Sequence, residues 1–258
     1  MESLPPLEFS LVIPTFNERD NLPELFARLD QVLAQTAFEV LLVDDDSPDQ
    51  TWAAAEALQP QYPWLRVIRR VGERGLSSAV VCGFRAARGE VVGVMDGDLQ
   101  HDDTRLPEML DAMIYADFAV ATRRAAGGSA GRWSLSRRFT SWVATMLARG
   151  IAQVPLSDPM SGFFAMRREL FSALDDPAMQ PHGYKILLYL YSRAAQRFGA
   201  ERLQLRELGY QFRLRKHGAS KLSSRVIIEY VLMLLDLRFS VQAKASPADL
   251  APPALATK

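Results

Sequence analysis

Short apolar runs alternate with amphipathic segments through the first half of the chain. The apolar runs predict strands at residues 9–13, 38–43, 66–68 and 90–95. Apolar residues at helical spacing predict a helix at 22–33. A run of small residues predicts a second helix at 76–87, and a segment bounded by proline predicts a third at 106–113. This βαβα alternation is typical of an α/β fold with a mainly parallel central sheet flanked by helices.

Polar and acidic residues follow three of these strands where each strand ends. Asn17 and Glu18 follow the first, the run 44–46 follows the second, and Asp96 and Asp98 follow the fourth. The carboxyl ends of parallel strands share one edge of the sheet, and ligands bind at that edge in open α/β folds. A solvated turn explains any one of these strand ends, but the three together favour a binding site.

The loop after the fourth strand carries an Asp-x-Asp pair, formed by Asp96, Gly97 and Asp98, with Gln100 just beyond it. Magnesium and manganese prefer oxygen ligands, commonly one or two carboxylates completed by phosphate oxygens and water. We therefore expect Mg²⁺ or Mn²⁺ on Asp96, Asp98 and the amide oxygen of Gln100. A metal held there would bind the diphosphate of a nucleotide sugar.

The distribution of charge is more informative than its total. Net charge is zero, which argues against a nucleic-acid-binding protein. Residues 118–157 contain six arginines and no Asp, Glu or Lys, whereas residues 96–117 contain seven acidic residues and a single arginine. An acidic metal site beside an arginine patch suits a reaction between a metal-bound diphosphate and a second, anionic substrate.

Length and composition predict one catalytic domain over residues 1–240, followed by a disordered Ala- and Pro-rich tail over 241–258. The single cysteine, Cys82, excludes an internal disulfide and is expected to be a packed core thiol. With no signal peptide, the sequence predicts a cytoplasmic protein. An apolar helix is predicted at 222–239, shorter than the roughly 20 apolar residues of a spanning helix. Core packing, an interfacial contact with a membrane and a homodimer contact all remain open for it.

Several motifs resemble those of the family 2 GT-A glycosyltransferases, and most closely those of the polyprenyl (dolichyl) phosphate mannose synthases. The general motifs are Ile13-Pro-Thr-Phe-Asn-Glu18, Val43-Asp-Asp-Asp-Ser-Pro-Asp-Gln-Thr51, Arg74-Gly-Leu-Ser-Ser-Ala79 and Met95-Asp-Gly-Asp-Leu-Gln-His101. The narrower motifs are Thr122-Arg123, Trp133-Ser-Leu-Ser-Arg-Arg-Phe-Thr-Ser141, Asp158-Pro-Met-Ser-Gly-Phe163 and Arg215-Lys-His-Gly-Ala-Ser-Lys221. The resemblance covers residues 9 to about 222 and implies a GT-A (nucleotide-diphospho-sugar transferase) fold.

The resemblance also implies roles for individual residues. The nucleotide sugar would be held by Pro14, Phe16, Glu18, Val43, Asp45, Asp96, Gly97, Asp98, Arg215 and Lys221. The acceptor phosphate would be held by Arg123, Arg137 and Ser141, the last two being one helical turn apart. Asp96, Asp98, Arg123 and Arg215 would carry catalysis.

The expected reaction moves a hexose, mannose from GDP-mannose first of all, onto a polyprenyl monophosphate at the cytosolic face of a membrane, with inversion at the anomeric carbon. The sequence offers no convincing general base, and a phosphate acceptor needs none because it is already ionised at neutral pH. A UDP-glucose donor and a glycan hydroxyl acceptor are the alternatives, and Asp158 is the candidate base for the second.

Other classes fit less well. A dinucleotide-binding Rossmann protein lacks its Gly-x-Gly-x-x-Gly motif here, and a non-catalytic scaffold does not need polar residues at every strand end. Four residues depart from the family pattern. Phe16 replaces a tyrosine, Asp102 and Asp103 replace a proline pair, and Tyr189 stands where an acidic residue is common.

Overall fold

A computed structural model describes residues 7–129, 154–176 and 185–213, together with Met146, Ala148 and Gly150. Its described strands form one sheet in the order β3-β2-β1-β4-β6-β5-β7. The strands are β1 (Phe9–Thr15), β2 (Phe38–Asp44), β3 (Leu65–Arg69), β4 (Val91–Val94), β5 (Phe118–Thr122), β6 (Phe164–Arg167) and β7 (Leu205–Gly209).

Helices connect and cover these strands. The α-helices are α1 (Leu22–Val32), α2 (Thr51–Leu58), α3 (Leu76–Ala86), α4 (Leu106–Met113), α5 (Arg168–Leu174) and α6 (Ile186–Phe198). Short 3₁₀ turns precede α1 and α4 and follow α6. The predicted α/β class and the helices at 22–33, 76–87 and 106–113 are confirmed.

The sheet is mainly parallel, as predicted. Parallel pairs join β1 to β2 and β4, β2 to β3, and β5 to β7. The exception is β6, which lies antiparallel between β4 and β5. All of the strands whose ends carry the acidic motifs belong to the parallel part, so their carboxyl ends lie along one edge.

The first strand continues two residues further than its proline suggested. Pro14 pairs in register with Val43, and β1 ends at Thr15. The carbonyl of Val12 accepts the N–H of Met95, so alternate residues of β1 face β4 on that side. Pro14 faces the same way beyond the end of β4, and its missing N–H therefore removes no ladder bond.

Apolar side chains fill both faces of the sheet, as expected where helices cover a parallel sheet on both sides. Val12 points into a cluster with α3 and α6, whereas its neighbours Leu11 and Ile13 point into a second cluster with α1 and α4. Cys82 packs against the first cluster, which confirms the predicted core thiol, and burial raises its pKa.

The amino-terminal edge of the sheet holds a buried carboxylate, Glu39, at the start of β2. Its Oε1 accepts hydrogen bonds from the Ser10 hydroxyl (2.7 Å) and the Arg88 N–H (2.8 Å). Its Oε2 accepts from the guanidinium groups of Arg66 and Arg88, each at 2.7 Å. Burial raises the pKa of Glu39, but these hydrogen bonds outweigh it and lower the value to about 2.

Among the residues that the structure describes, no helix is both long and apolar enough to cross a membrane. The predicted helix at 222–239 and the predicted tail at 241–258 lie outside the described residues.

Candidate active site

The loops that follow β1, β2 and β4 lie side by side and hold the backbone in an uncommon conformation. Within the described ranges, four non-glycine residues have positive φ: Asn17 (59°), Asp46 (53°), Gln50 (61°) and Leu99 (61°). All four lie in these three loops. Backbone strain of this kind is concentrated at functional sites, where the surrounding structure maintains it.

The loop after β4 lines a cavity of about 190 Å³. Asp98 is almost completely buried there, and its Oδ1 accepts the N–H of Gln100 at 3.1 Å. The residues that line the cavity come from five segments of the chain and are Asp96, Asp98, Gln100, His101, Arg123, Met160, Ser161, Gly162, Lys185, Tyr210 and Phe212. The predicted metal ligands therefore share one enclosure with Arg123.

His101 fixes the position of Asp96. Its Nδ1 accepts the backbone N–H of Asp96 at 3.2 Å, and its Nε2 lies 3.8 Å from Oδ2 of the same residue. Because Nδ1 is an acceptor, the ring proton of the neutral imidazole is on Nε2 and faces the carboxylate. The ring stacks on Phe163, with centroids 5.2 Å apart and planes inclined by 15°.

Gly162 faces the other side of the same carboxylate. A Cβ atom at this position would lie 3.3 Å from both oxygens of Asp96. The absence of a side chain leaves the Asp96 carboxylate uncovered toward the cavity, as a metal ligand requires. The Asp-x-x-Ser-Gly-Phe motif at 158–163 thus reaches the metal loop through its glycine.

Carboxylate and amide oxygens are the donor set that Mg²⁺ and Mn²⁺ prefer, so Asp96, Asp98 and Gln100 fit the expected cation. The amide nitrogen of Gln100 donates to the carbonyl of Arg213 at 3.2 Å, and this orients the amide oxygen as the remaining ligand atom. In the described part of the chain, no three His, Cys, Asp or Glu residues converge as a complete metal cage. Such a partial set suits a cation that is completed by substrate phosphates.

Arg123 lies at the end of β5 and forms a two-point ion pair with Asp158. Its Nε donates to Oδ2 at 2.7 Å and its Nη2 donates to Oδ1 at 2.9 Å. Burial lowers the pKa of the guanidinium, but the charge and hydrogen bonds of Asp158 outweigh it and raise the value. Asp158 is completely buried and both of its oxygens accept from Arg123. It is therefore not placed to act as the base that a hydroxyl acceptor requires.

Lys185 and Tyr210 complete this wall of the cavity. Burial, and then the charge of Arg123, lower the pKa of Lys185 to about 8 despite the opposing effects of Asp158 and Asp96. Burial also raises the pKa of Tyr210, whose ring packs edge-on against His101 and Phe163. Tyr210 thus keeps the metal loop packed against the strands.

The loops after β1 and β2 form a second polar region on the same edge, where the nucleotide was expected. Asp45 is held by Arg70, whose Nε donates to Oδ1 at 2.7 Å, and by the N–H of Gly75, which donates to Oδ2 at 2.8 Å. Pro14 and Val43 are register partners in the adjoining strands. Asp45 therefore anchors the turn that begins α3, in addition to the nucleotide role that the resemblance implies.

Phe16 and Glu18 lie in the loop after β1. The guanidinium of Arg74 lies over the ring of Phe16, 4.1 Å from its centroid, so a flat cation covers the ring on one side. The carboxylate of Glu18 accepts from the amide of Asn21 at 2.6 Å. These contacts keep both predicted nucleotide-binding residues at the edge of the sheet.

Arg213 connects the metal loop to the segment that follows β7. Its N–H donates to the carbonyl of Gln100 at 2.9 Å, and its guanidinium donates to Asp102 (2.6 Å) and Asp103 (2.9 Å). The two aspartates that replace the family's proline pair therefore hold Arg213. We call the paired contacts between Gln100 and Arg213 the 100/213 bridge.

Four of the predicted site residues, Arg137, Ser141, Arg215 and Lys221, lie outside the described residues. The structure does add residues to which the sequence assigned no role. Arg70, Lys185 and Tyr210 contact the site from positions outside its motifs. His101 and Gly162 were inside quoted motifs, and their spacing was the available signal.

Comparison with known proteins agrees with this geometry. The sequence pattern of glycosyl transferase family 2 matches residues 10–175, which include every strand end described above except that of β7. The chain belongs to glycosyl transferase family 2. As a family 2 member it is a glycosyltransferase, and the predicted family is confirmed.

Relatives within the family carry related names. The chain is 39% identical over 228 residues to the dolichol-phosphate mannosyltransferase of Pyrococcus furiosus, covering 87% of this chain but only 62% of that protein. It is 35% identical over 236 residues to the protein of the same name from Saccharomyces cerevisiae, covering 90% and 87%. It is 33% identical over 224 residues to the undecaprenyl-phosphate mannosyltransferase of Micrococcus luteus, covering 86% and 90%.

Solved structures of low sequence identity share the fold. Glucosyl-3-phosphoglycerate synthase from Mycobacterium tuberculosis, crystallised with Mg²⁺ and uridine diphosphate, superposes with a TM-score of 0.69 at 18% identity. The match covers 90% of this chain and 79% of that one. The predicted GT-A fold of this family 2 glycosyltransferase is confirmed.

Proposed function

We propose that this glycosyltransferase moves mannose from GDP-mannose onto a polyprenyl (dolichyl) monophosphate and releases polyprenyl phosphate β-mannose and GDP. The names of five relatives, each a dolichol-phosphate or undecaprenyl-phosphate mannosyltransferase or a polyprenol monophosphomannose synthase, support this substrate pair. We place the enzyme at the cytosolic face of a membrane, bound to its surface.

The observation that carries the proposal is the pairing of Asp158 with Arg123. Among the described residues that line the cavity, the carboxylates belong to the metal loop and His101 is turned toward Asp96. Since Asp158 is also engaged, the described wall presents no carboxylate or imidazole as a general base to an incoming hydroxyl. A phosphate monoester, whose second pKa is about 6, attacks without one.

The chain's residues then divide the work of the reaction. Asp96, Asp98 and Gln100 would hold the cation, with Gly162 leaving the Asp96 carboxylate uncovered, and a divalent cation bound there would supply charge to the departing diphosphate. Gly97, which packs against Ile13 and Thr15, is assigned to the donor. Arg215 and Lys221 are assigned to the same diphosphate. Arg123, Arg137 and Ser141 are assigned to the acceptor phosphate. Pro14, Phe16, Glu18, Val43 and Asp45 are assigned to the nucleoside.

The bond changes balance without a further reactant. An oxygen of the acceptor phosphate forms a bond to the anomeric carbon while the bond from that carbon to the diphosphate breaks, and the electron pair leaves with GDP. Attack opposite the leaving group inverts the configuration, so an α-linked donor gives a β-linked product. Cations aimed at the leaving oxygen stabilise the charge that develops there.

The test is transfer of label from GDP-mannose, UDP-glucose and UDP-N-acetylglucosamine to a short polyprenyl phosphate, counted in the lipid phase with Mn²⁺ or Mg²⁺ present. We expect label from GDP-mannose alone, lost on addition of EDTA, in a product whose anomeric carbon is β by NMR. Label from UDP-glucose alone would show that the donor is UDP-glucose and not GDP-mannose. An α product would overturn the inverting mechanism, and donor binding without lipid product would redirect the search to hydroxyl acceptors.

A further inference from the structure

The cavity wall opposite the metal loop contains one cation that no motif assigned. Lys185 is partly buried and lines the cavity together with Arg123 and the metal loop. Among the described residues, none forms a hydrogen bond or an ion pair with its ammonium group. An ammonium group withdrawn from water without a partner costs free energy, and a bound anion removes that cost.

The charges around the cavity show what kind of ligand Lys185 attracts. Arg123 and Asp158 neutralise each other through their two-point pair. A divalent cation on Asp96 and Asp98 neutralises that pair as well. Once these two pairs are neutralised, Lys185 is the charged group that remains among the described residues around the cavity. Its positive charge favours an anionic ligand there.

Lys185 lines the cavity beside the residue that was assigned to the acceptor phosphate. The charge that acts on it most strongly is that of Arg123, followed by those of Asp158 and Asp96. Arg123 is the residue to which the acceptor phosphate was assigned, whereas the diphosphate was assigned to the metal loop and to the basic segment beyond residue 213. Lys185 therefore lies on the acceptor side of the cavity.

We infer that Lys185 binds the phosphate of the acceptor, donating to a non-bridging oxygen and holding the phosphate beside the anomeric carbon. Because Arg123 is already engaged by Asp158, Lys185 is the positioning residue that adjusts to the incoming anion. This inference rests on the proposed function for the identity of the acceptor. Its physical content, an anion site on the acceptor side, is measurable by itself.

The experiment compares the wild-type protein with Lys185→Met, which keeps the length of the side chain, and Lys185→Arg, which keeps its charge. Arg197→Met removes a cation from the exposed end of α6, the helix that begins directly after Lys185, and serves as the matched control. GDP is first titrated into each protein with Mn²⁺ present, and a C10 prenyl phosphate is then titrated into the protein saturated with GDP and Mn²⁺, so that calorimetry gives one affinity for each ligand.

We expect Lys185→Met to weaken prenyl phosphate binding by about 10- to 100-fold, the usual cost of losing a charge-assisted hydrogen bond. Lys185→Arg should restore most of it, and Arg197→Met should bind like the wild type. The affinity for GDP should stay within about threefold of wild type in all variants, because metal and loop contacts are unchanged. In the transfer assay the loss should be in KM for the acceptor more than in kcat.

Thermal unfolding separates this role from a structural one. If Lys185 only supported the fold, Lys185→Met would lower the melting temperature of the ligand-free protein. We expect the melting temperature to stay the same or rise, because the variant removes an ammonium that has no partner in the described structure.

The possible failures can be told apart. Equal prenyl phosphate affinity in wild type and Lys185→Met overturns the inference even if mannose transfer is confirmed. A parallel loss of GDP affinity would instead make Lys185 a donor residue and also overturns it. If the wild type transfers no mannose, the proposed function fails, and the prenyl phosphate titration still decides whether Lys185 forms an anion site.

Discussion

Buried charge occupies both edges of the same sheet, but in two different states. At the amino-terminal edge, Glu39 accepts hydrogen bonds from Ser10, Arg66 and Arg88, and both of its oxygens are used. At the carboxyl edge, Asp98 and Lys185 line a cavity. The first cluster is complete within the protein, whereas the second is completed by ligands.

The comparison separates two uses of a buried charge. A carboxylate with all its partners in the fold stabilises the folded state and has nothing left to offer a substrate. Charged side chains that line a cavity, such as Asp98 and Lys185, contribute less to the stability of the folded protein. They can instead bind a metal ion and phosphate groups. Substitutions at the two edges should therefore affect different measurements.

The largest difference is expected for Asp98→Ala. Transfer should fall by at least about 1,000-fold, because a metal site contributes several kcal/mol of charge stabilisation in the transition state. The free energy of unfolding of the metal-free protein should change by less than about 1 kcal/mol or increase. The measurement pairs initial transfer rates with urea unfolding. A variant that keeps most of its activity would remove Asp98 from the metal site.

Gly162→Ala tests the space beside Asp96. A methyl group 3.3 Å from both carboxylate oxygens must displace them or move itself. We expect the affinity for Mn²⁺ to fall about 10- to 100-fold, as is usual when the surroundings of a metal ligand are disturbed. Manganese titration followed by paramagnetic relaxation measures this change. Unaltered affinity with intact folding would show that the Asp96 carboxylate does not depend on the glycine.

Glu39→Gln should lower the stability of the protein and leave its ligand binding unchanged. Loss of the charge-assisted hydrogen bonds should cost about 2 kcal/mol of unfolding free energy, at the low end for a buried charge because Arg66 and Arg88 remain partly solvated. In a protein of this size that corresponds to a melting temperature about 4–8 °C lower. Affinity for nucleotide and Mn²⁺ should be unchanged. Glu56→Gln, at an exposed position of α2, is the matched control and should melt like the wild type.

The smallest expected effect is a pH dependence of the difference in unfolding free energy between the wild type and Glu39→Gln. The pKa of Glu39 falls from its ordinary value of 4.5 to about 2 in the folded protein. Its contribution to stability is therefore fully present above pH 4.5 and is lost as the pH falls toward 2. Urea unfolding of wild type and Glu39→Gln at pH 6, 4 and 3 should show the difference in unfolding free energy shrinking between pH 4 and pH 3. A difference that grew with acidity would contradict the assignment.

Sequence patterns identified the features of this protein that depend on residues close together in the chain. The strand ends, the Asp-x-Asp pair and the helices have local signals, because periodicity and motif spacing act over a few residues. The same applies to the Asp158–Phe163 motif, which was noticed although its contact with Asp96 was not.

Features that depend on distant partners were not predicted. Arg70 holds Asp45 from 25 residues away, and Arg123 holds Asp158 from 35 residues away. No local sequence pattern indicates which aspartate forms an ion pair with which arginine. Asp158 was therefore still a candidate base. Strands β5, β6 and β7 were not predicted either, and the four residues of the antiparallel strand β6 are too few for alternation to show. Lys185 belongs to none of the motifs, so no pattern marked it as a site residue.

The 100/213 bridge links two ligands that are usually considered separately. One end belongs to the metal loop, and the other lies two residues before Arg215, to which the diphosphate was assigned. A cation and a nucleotide that act on the two ends of one hydrogen-bonded unit influence each other's binding reciprocally. The factor by which Mn²⁺ tightens nucleotide binding must equal the factor by which nucleotide tightens Mn²⁺ binding. A protein built this way responds to the joint supply of cation and donor, so scarcity of either one limits occupancy by both.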